Sequence, residues 1–213
     1  MFNRQFAALF LFSLVFVCAI SLFKPLTLQS RTNSSLEPIV NIRYRYYPIA
    51  GTTASELRSQ MAAKGPRDQL EGRRYDANVD WAVNWSFRQG MSQGQCAIRS
   101  TKTRITVTYT LPQWDAPAHA ERSLVAEWNQ YMTALQLHED GHKEHGVEAG
   151  RGVLQTLAHL PAASSCQELE SKAQAAAQAV IKAYNQKDLE YDRTTRHGYT
   201  QGAVFPPVAT VSR

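Results

Sequence analysis

Leu135-Gln136-Leu137-His138-Glu139-Asp140-Gly141-His142-Lys143-Glu144-His145 is the stretch from which the rest of the chain is best read. It lies in a run where Leu124, Trp128, Tyr131, Leu135, His138, His142, His145, Ala149, Val153 and Leu157 recur three or four apart. That is the period of a helix with one continuous buried face. Asp115, with Pro117 in the next turn, is expected to begin the run, and Pro161 to end it. Gly146, Gly150 and Gly152 invite a break, each costing up to about 1 kcal/mol against Ala. Histidines on the apolar face of a long helix need a chemical reason to be there.

Upstream of this run the period is two. Val40, Ile42, Tyr44 and Tyr46 alternate with Asn41, Arg43 and Arg45, which reads as a strand with one wet face. Thr53-Ala54-Ser55-Glu56 is a capping box opening a helix that turns Leu57 and Met61 inward and stops at Gly65-Pro66. Two further strands place Trp81, Val83, Trp85 and Phe87, then Ile105, Val107, Tyr109 and Leu111, on their buried faces. The Gly- and Gln-rich stretch 89–95 lies between them. A meander of three antiparallel strands with aromatic cross-strand pairs is the expected assembly. Downstream, Ser165-Cys166-Gln167-Glu168 opens an Ala-rich helix that runs out near Tyr191. Strands first and helices after make the class α+β, a small antiparallel sheet packed on the long helix and a second C-terminal helix.

Helical spacing gives His138-Glu139-Asp140-Gly141-His142 its chemistry. The two imidazoles, one turn apart, project from one face and can share one ion at about 2.0–2.1 Å. Glu139 is rotated by about 100° from His138, beside such an ion rather than on it, where a carboxylate can deprotonate a bound water. This is the H-E-x-x-H pattern of zinc hydrolases, and it implies one Zn2+ per chain. A third ligand is needed, and His145 lies too far along the axis. The better donors follow the second helix, in Tyr191-Asp192-Arg193-Thr194-Thr195-Arg196-His197-Gly198-Tyr199. His197 is favoured, with Asp192 as the alternative or as the group that orients it. Tyr191 and Tyr199 are candidates to support a developing oxyanion, and so are Arg193 and Arg196.

The paired motifs, His138-Glu139-Asp140-Gly141-His142 and Tyr191-Asp192-x-x-Thr195-x-His197-Gly198, resemble the bacterial domain of unknown function 922 family, described as predicted secreted zinc-dependent proteases. The likeness covers most of residues 39–205. It implies a zincin-like metallopeptidase with His138 and His142 as ligands and Glu139 as the catalytic carboxylate. A peptide or protein substrate would lie extended along a strand edge, with the strand at 103–111 as the rim. The rival reading is a non-catalytic envelope protein in which zinc is structural or the cleft binds a partner without cutting it.

The ends of the chain supply an address. Residues 6–23 form an unbroken apolar run behind Arg4, stopped by Lys24-Pro25. Residues 1–29 are therefore expected to be a signal peptide or an N-terminal membrane anchor. Residues 30–38 are then a linker, 39–205 the metallopeptidase domain and 206–213 a tail. Either outcome places the domain outside the cytoplasm, periplasmic or extracellular. Cys96 and Cys166, the only cysteines beyond the leader, are then expected to form one disulfide.

With 213 residues, 44% of them hydrophobic, the chain can bury a core of its own, and a monomer is expected. Its net charge of +5 is scattered, with no block of more than two Lys or Arg, which speaks against nucleic acid as a partner.

Overall fold

The computed structural model describes residues 37–68 and 72–207. The leader and the last six residues therefore lie outside it. Strand β1 (Ile39–Ile49) leads to helix α1 (Ala54–Lys64), then the paired strands β2 (Asn78–Ser92) and β3 (Gln95–Trp114). The long helices α2 (Arg122–Ala158) and α3 (Cys166–Thr195) follow, and a 3-10 turn at Tyr199–Gln201 closes the order. Among the described residues no helix is long and apolar enough to cross a membrane.

The class is α+β as expected, but the sheet is mixed. Its order is β1-β3-β2, with β2 antiparallel to β3 and β1 parallel to β3. The connections explain the difference from an antiparallel meander. Gln93 and Gly94, both at positive φ, make a two-residue turn that forces β2 and β3 to be antiparallel neighbours. The link from β1 to β2 contains α1 and a long loop, so it imposes no such pairing and lets β1 take the opposite edge of β3. The strands also extend into the stretch at 89–95, up to Ser92 and from Gln95, with a register shift between Arg88 and Gln89. The strand at 103–111 is thus central and offers no edge for a substrate.

β3 behaves as its alternation predicts, with Ile105, Val107, Tyr109 and Leu111 buried against the helices. β1 does not. Its apolar row, Val40, Ile42, Tyr44 and Tyr46, is 39–54% exposed. These residues share the helix-side face, since Tyr44 pairs with Tyr109 and stacks on its ring at 4.9 Å. The long helices lie over β2 and β3 and leave this edge uncovered.

α2 is one unbroken helix of 37 residues. The expected break is absent because its glycines serve close packing. A Cβ on Gly146 would stand 2.7 Å from the Trp81 side chain, and one on Gly150 would overlap Ile105. The helix begins at Arg122 rather than near Asp115, since residues 117–120 form a turn closed by Ala120 N–H donating to Pro117 O at 2.8 Å. α3 in turn runs a full turn past Tyr191, to Thr195. Ser165 caps its start, accepting from the Glu168 N–H at 3.2 Å. The Cys96–Cys166 disulfide ties that start to the beginning of β3. Paired backbone bonds between Cys96 and Ala163 hold the α2–α3 loop to the same strand.

Candidate metal centre

The antiparallel crossing of α2 and α3 sets one row of histidines against one row of carboxylates. His138 and His142, 3% and 7% exposed, face Asp188 and Asp192, which lie one turn apart on α3. Extension of α3 to Thr195 is what places both aspartates on a single helical face. His138 Nε2 and His142 Nε2 are 3.4 Å apart, and Asp192 Oδ1 lies 3.2 and 3.0 Å from them. These separations are close to the edges of a tetrahedron about 3.3–3.4 Å long whose corners sit at zinc bonding distance from the centre.

The remaining ring nitrogens are held from outside. His142 Nδ1 is 3.1 Å from Asp188 Oδ1, and His138 Nδ1 is 3.0 Å from Gln201 Oε1. Each partner is placed to accept a hydrogen bond from Nδ1–H, so Nε2 is the nitrogen turned toward the cluster. Asp188 is itself fixed by His145 Nδ1 at 2.5 Å and by the indole N–H of Trp81 at 2.6 Å. His145 is thus drawn inward to Asp188. Among the described residues His142, His145 and Asp188 form a second close set of three donors, sharing His142 with the first.

Tyr191 packs between the histidines. Its ring stacks on His138 and meets His142 edge-on, each at 5.1 Å, and its hydroxyl donates to His138 O at 3.1 Å. Gln201 Nε2 donates to that hydroxyl at 3.0 Å. Gly141 makes this fit possible, because a Cβ there would overlap the Tyr191 ring. Gly198 has φ +80°, and a Cβ on it would stand 3.0 Å from His138 Cγ, so backbone conformation and packing both require glycine.

His197 stands at the margin. Its Nδ1 is 3.4 Å from Asp192 Oδ1, its ring packs on Tyr75 at 4.3 Å, and it belongs to neither set of three donors. Arg196 and His197 both have φ near +52°, a left-handed turn that fixes where the imidazole emerges. Tyr199 is exposed and lines a separate hollow of about 270 Å³ with Tyr131 and Val204. Arg193 is engaged by Glu190 at the surface.

Glu139 is 3% exposed, and its Oε2 has no hydrogen-bond partner among the described residues. Burial pushes its carboxyl up to about 7, with Asp192 and Asp188 adding to the rise and the histidines opposing it. Burial disfavours charge on His142 too, yet the carboxylates of Asp188 and Asp192 outweigh it and raise the imidazole to about 10. Burial also works against the charge on Asp192, but bonds to His138 and His142 hold its carboxyl well below the usual range. The site is built to favour a positive charge between the helices. Two imidazole nitrogens and a carboxylate oxygen are the donor types zinc takes, and the spacing fits it.

Beside the cluster, the Tyr109 hydroxyl donates to Asp140 and joins the next residue of the motif to the central strand. Asp188, Gln201 and Trp81 were not among the sequence-derived candidates. The i,i+4 repeat of Asp188 and Asp192, matching that of His138 and His142, is the signal that marks the first. Gln201 and Trp81 have none.

A family model described as "Bacterial protein of unknown function (DUF922)" matches residues 44–198. No curated protein and no solved structure matches the chain.

Proposed function

Because the chain belongs to the bacterial DUF922 family, for which no function is established, we propose from the site itself that it is an exported zinc-dependent metallopeptidase. The observation that carries this reading is the convergence of His138 Nε2, His142 Nε2 and Asp192 Oδ1 within 3.4 Å of one another, on the same helical turn as buried Glu139. His138, His142 and Asp192 would hold the ion, with His197 next to Asp192 as the neighbour that adjusts it. Zinc when bound supplies a Lewis acid and lowers the pKa of bound water toward neutrality.

The protein's own groups do the rest. Glu139, buried on the same helical turn as the two histidines, accepts a proton from the attacking water and delivers it to the leaving amine. Asp188 and Gln201 hold the two imidazoles in the tautomer that presents Nε2. Tyr191 keeps both rings in place through stacking and its bond to the His138 carbonyl. A histidine-and-carboxylate set of three leaves a fourth position free for water, which suits catalysis better than a closed structural site. Export agrees with the disulfide and the apolar leader sequence.

The test is metal content and peptide hydrolysis of residues 30–213, beside His142→Ala and Glu139→Gln. One zinc per chain, lost in His142→Ala and retained in Glu139→Gln, with casein cleavage abolished in both, is the expected result. Zinc bound with no hydrolysis of any peptide would leave the structural or partner-binding reading. No zinc in the unmodified chain would remove the metal reading altogether.

A further inference from the structure

β1 is an edge strand of 11 residues that among the described residues has a strand neighbour, β3, on one side only, and near its end Lys64 Nζ donates to Pro48 O at 2.9 Å. A long, exposed, apolar edge is a template for pairing with another chain, and natural proteins normally blunt or cover it. On the helix side of β1 stands the exposed row Val40, Ile42, Tyr44 and Tyr46. On the other side Arg43 and Arg45 are exposed, opposite Thr108 and Thr110 of β3, and neither arginine has an ion-pair partner among the described residues. The carboxylate on that face is Asp80, two strands away on β2.

This charge pattern decides what can lie there. A second copy added antiparallel about a two-fold axis centred on Tyr44 would set Arg43 of each chain directly opposite Arg45 of the other on one face, with no acid between them. Like charges in that arrangement destabilise a sheet pair. An extended segment with acidic residues on one face and apolar residues on the other would instead satisfy both rows and the free backbone groups at once.

We propose that β1 is a docking edge for an extended acidic peptide, which adds to the sheet as a fourth strand with its carboxylates over Arg43 and Arg45. Its apolar side chains lie across Ile42, Tyr44 and Tyr46. The proposal is independent of the metal reading, since none of these residues belongs to the histidine–aspartate cluster.

The test uses residues 30–213 and a fluorescent peptide alternating Glu and Val, with its Lys/Val counterpart. The Glu/Val peptide should bind and the Lys/Val peptide should not. Arg43→Glu combined with Arg45→Glu should weaken binding by about tenfold or more and let the Lys/Val peptide bind instead. N-methylation of alternate peptide amides should abolish binding in one register and spare it in the other, as only one edge of the peptide faces the protein. Binding of neither peptide, or equal loss in both N-methyl registers, would overturn the proposal. So would sedimentation as a dimer that Tyr44→Lys converts to a monomer, because the edge would then be covered by a second copy. Circular dichroism of each variant separates these outcomes from misfolding.

Discussion

Asp188 Oδ1 lies 3.1 Å from His142 Nδ1 and 2.5 Å from His145 Nδ1, so one carboxylate on α3 fixes two imidazoles of α2. Its second oxygen accepts from Trp81, which ties the arrangement to β2. The seam between the long helices is therefore a chain of directed hydrogen bonds from the sheet to the cluster of His138, His142 and Asp192.

Asp188→Ala should accordingly lower zinc affinity by about 10- to 100-fold while His138, Asp192 and Glu139 stay in place. Competition with a chelator of known affinity measures it. Asp188→Asn should fall between, since the amide oxygen can still accept from Nδ1 but carries no charge. Equal affinity in all three proteins would show that His142 is oriented by something else.

Gly141→Ala removes a helix-destabilising residue and should gain up to about 1 kcal/mol on propensity alone. The added methyl would meet the Tyr191 ring, however. Overpacking of this kind costs about 1–3 kcal/mol. Net destabilisation in urea is expected, with zinc affinity reduced as Tyr191 is pushed off His138. A more stable protein with unchanged affinity would show that the seam is looser than its geometry.

Glu139 sets a pH signature in the metal-free protein. Its folded pKa, about 7, lies above the ordinary 4.5, so the native state binds more protons than the unfolded state between these values. This contribution is fully present below pH 4.5 and is lost as pH rises through 7. Glu139→Gln should flatten that part of the stability profile and stabilise the metal-free protein at pH 8 by roughly 1–3 kcal/mol. Urea unfolding at pH 5 and pH 8 after chelation is the measurement. His142, raised to about 10, adds a parallel loss between about pH 6.5 and 10 that Glu139→Gln leaves standing.

Reducing the Cys96–Cys166 disulfide, which spans a sequence separation of 70, should cost roughly 4 kcal/mol by loop entropy. The local effect should be greatest where Cys96 and Ala163 pair their backbones. Hydrogen exchange of the Ala163 amide should rise more than that of the α2 amides around His138.

Asp76→Ala should be the most damaging surface-proximal change in the first half of the chain. The Asp76 carboxylate takes Arg58 and the Tyr131 hydroxyl, and its backbone carbonyl takes the Tyr47 hydroxyl. Removing the carboxylate leaves Arg58 half-buried and Tyr131 buried without their partner, at a cost of about 2–4 kcal/mol. Thermal unfolding beside Arg58→Met, which removes the charge as well, should show the second variant to be the milder.

Local pattern was enough to read the elements whose signals are local. The capping box at Thr53 and Glu56 formed as read, and the inward row of β3 followed strict alternation. The Cys96–Cys166 bond followed from cysteine count and address. The glycines of α2 misled, because a helical glycine carries the same local cost whether it marks a break or a close approach. Only the positions of Trp81, Ile105 and Val180, against Gly146, Gly150 and Gly152, tell the two apart.

By itself the sequence determined that a buried helix carries His138, Glu139 and His142 at metal-binding spacing, since 3.6 residues per turn fixes their relative directions. It also pointed to carboxylate or imidazole donors at Asp192 and His197, within residues 191–199. Which of them meets the histidines depends on how far α3 continues and at what angle it crosses α2, both set by packing of residues distant in the chain. The tertiary structure alone therefore put Asp192 between the two Nε2 atoms and Asp188 behind His142. It alone set β1 parallel at an uncovered edge, because strand order depends on long-range pairing that no local alternation encodes.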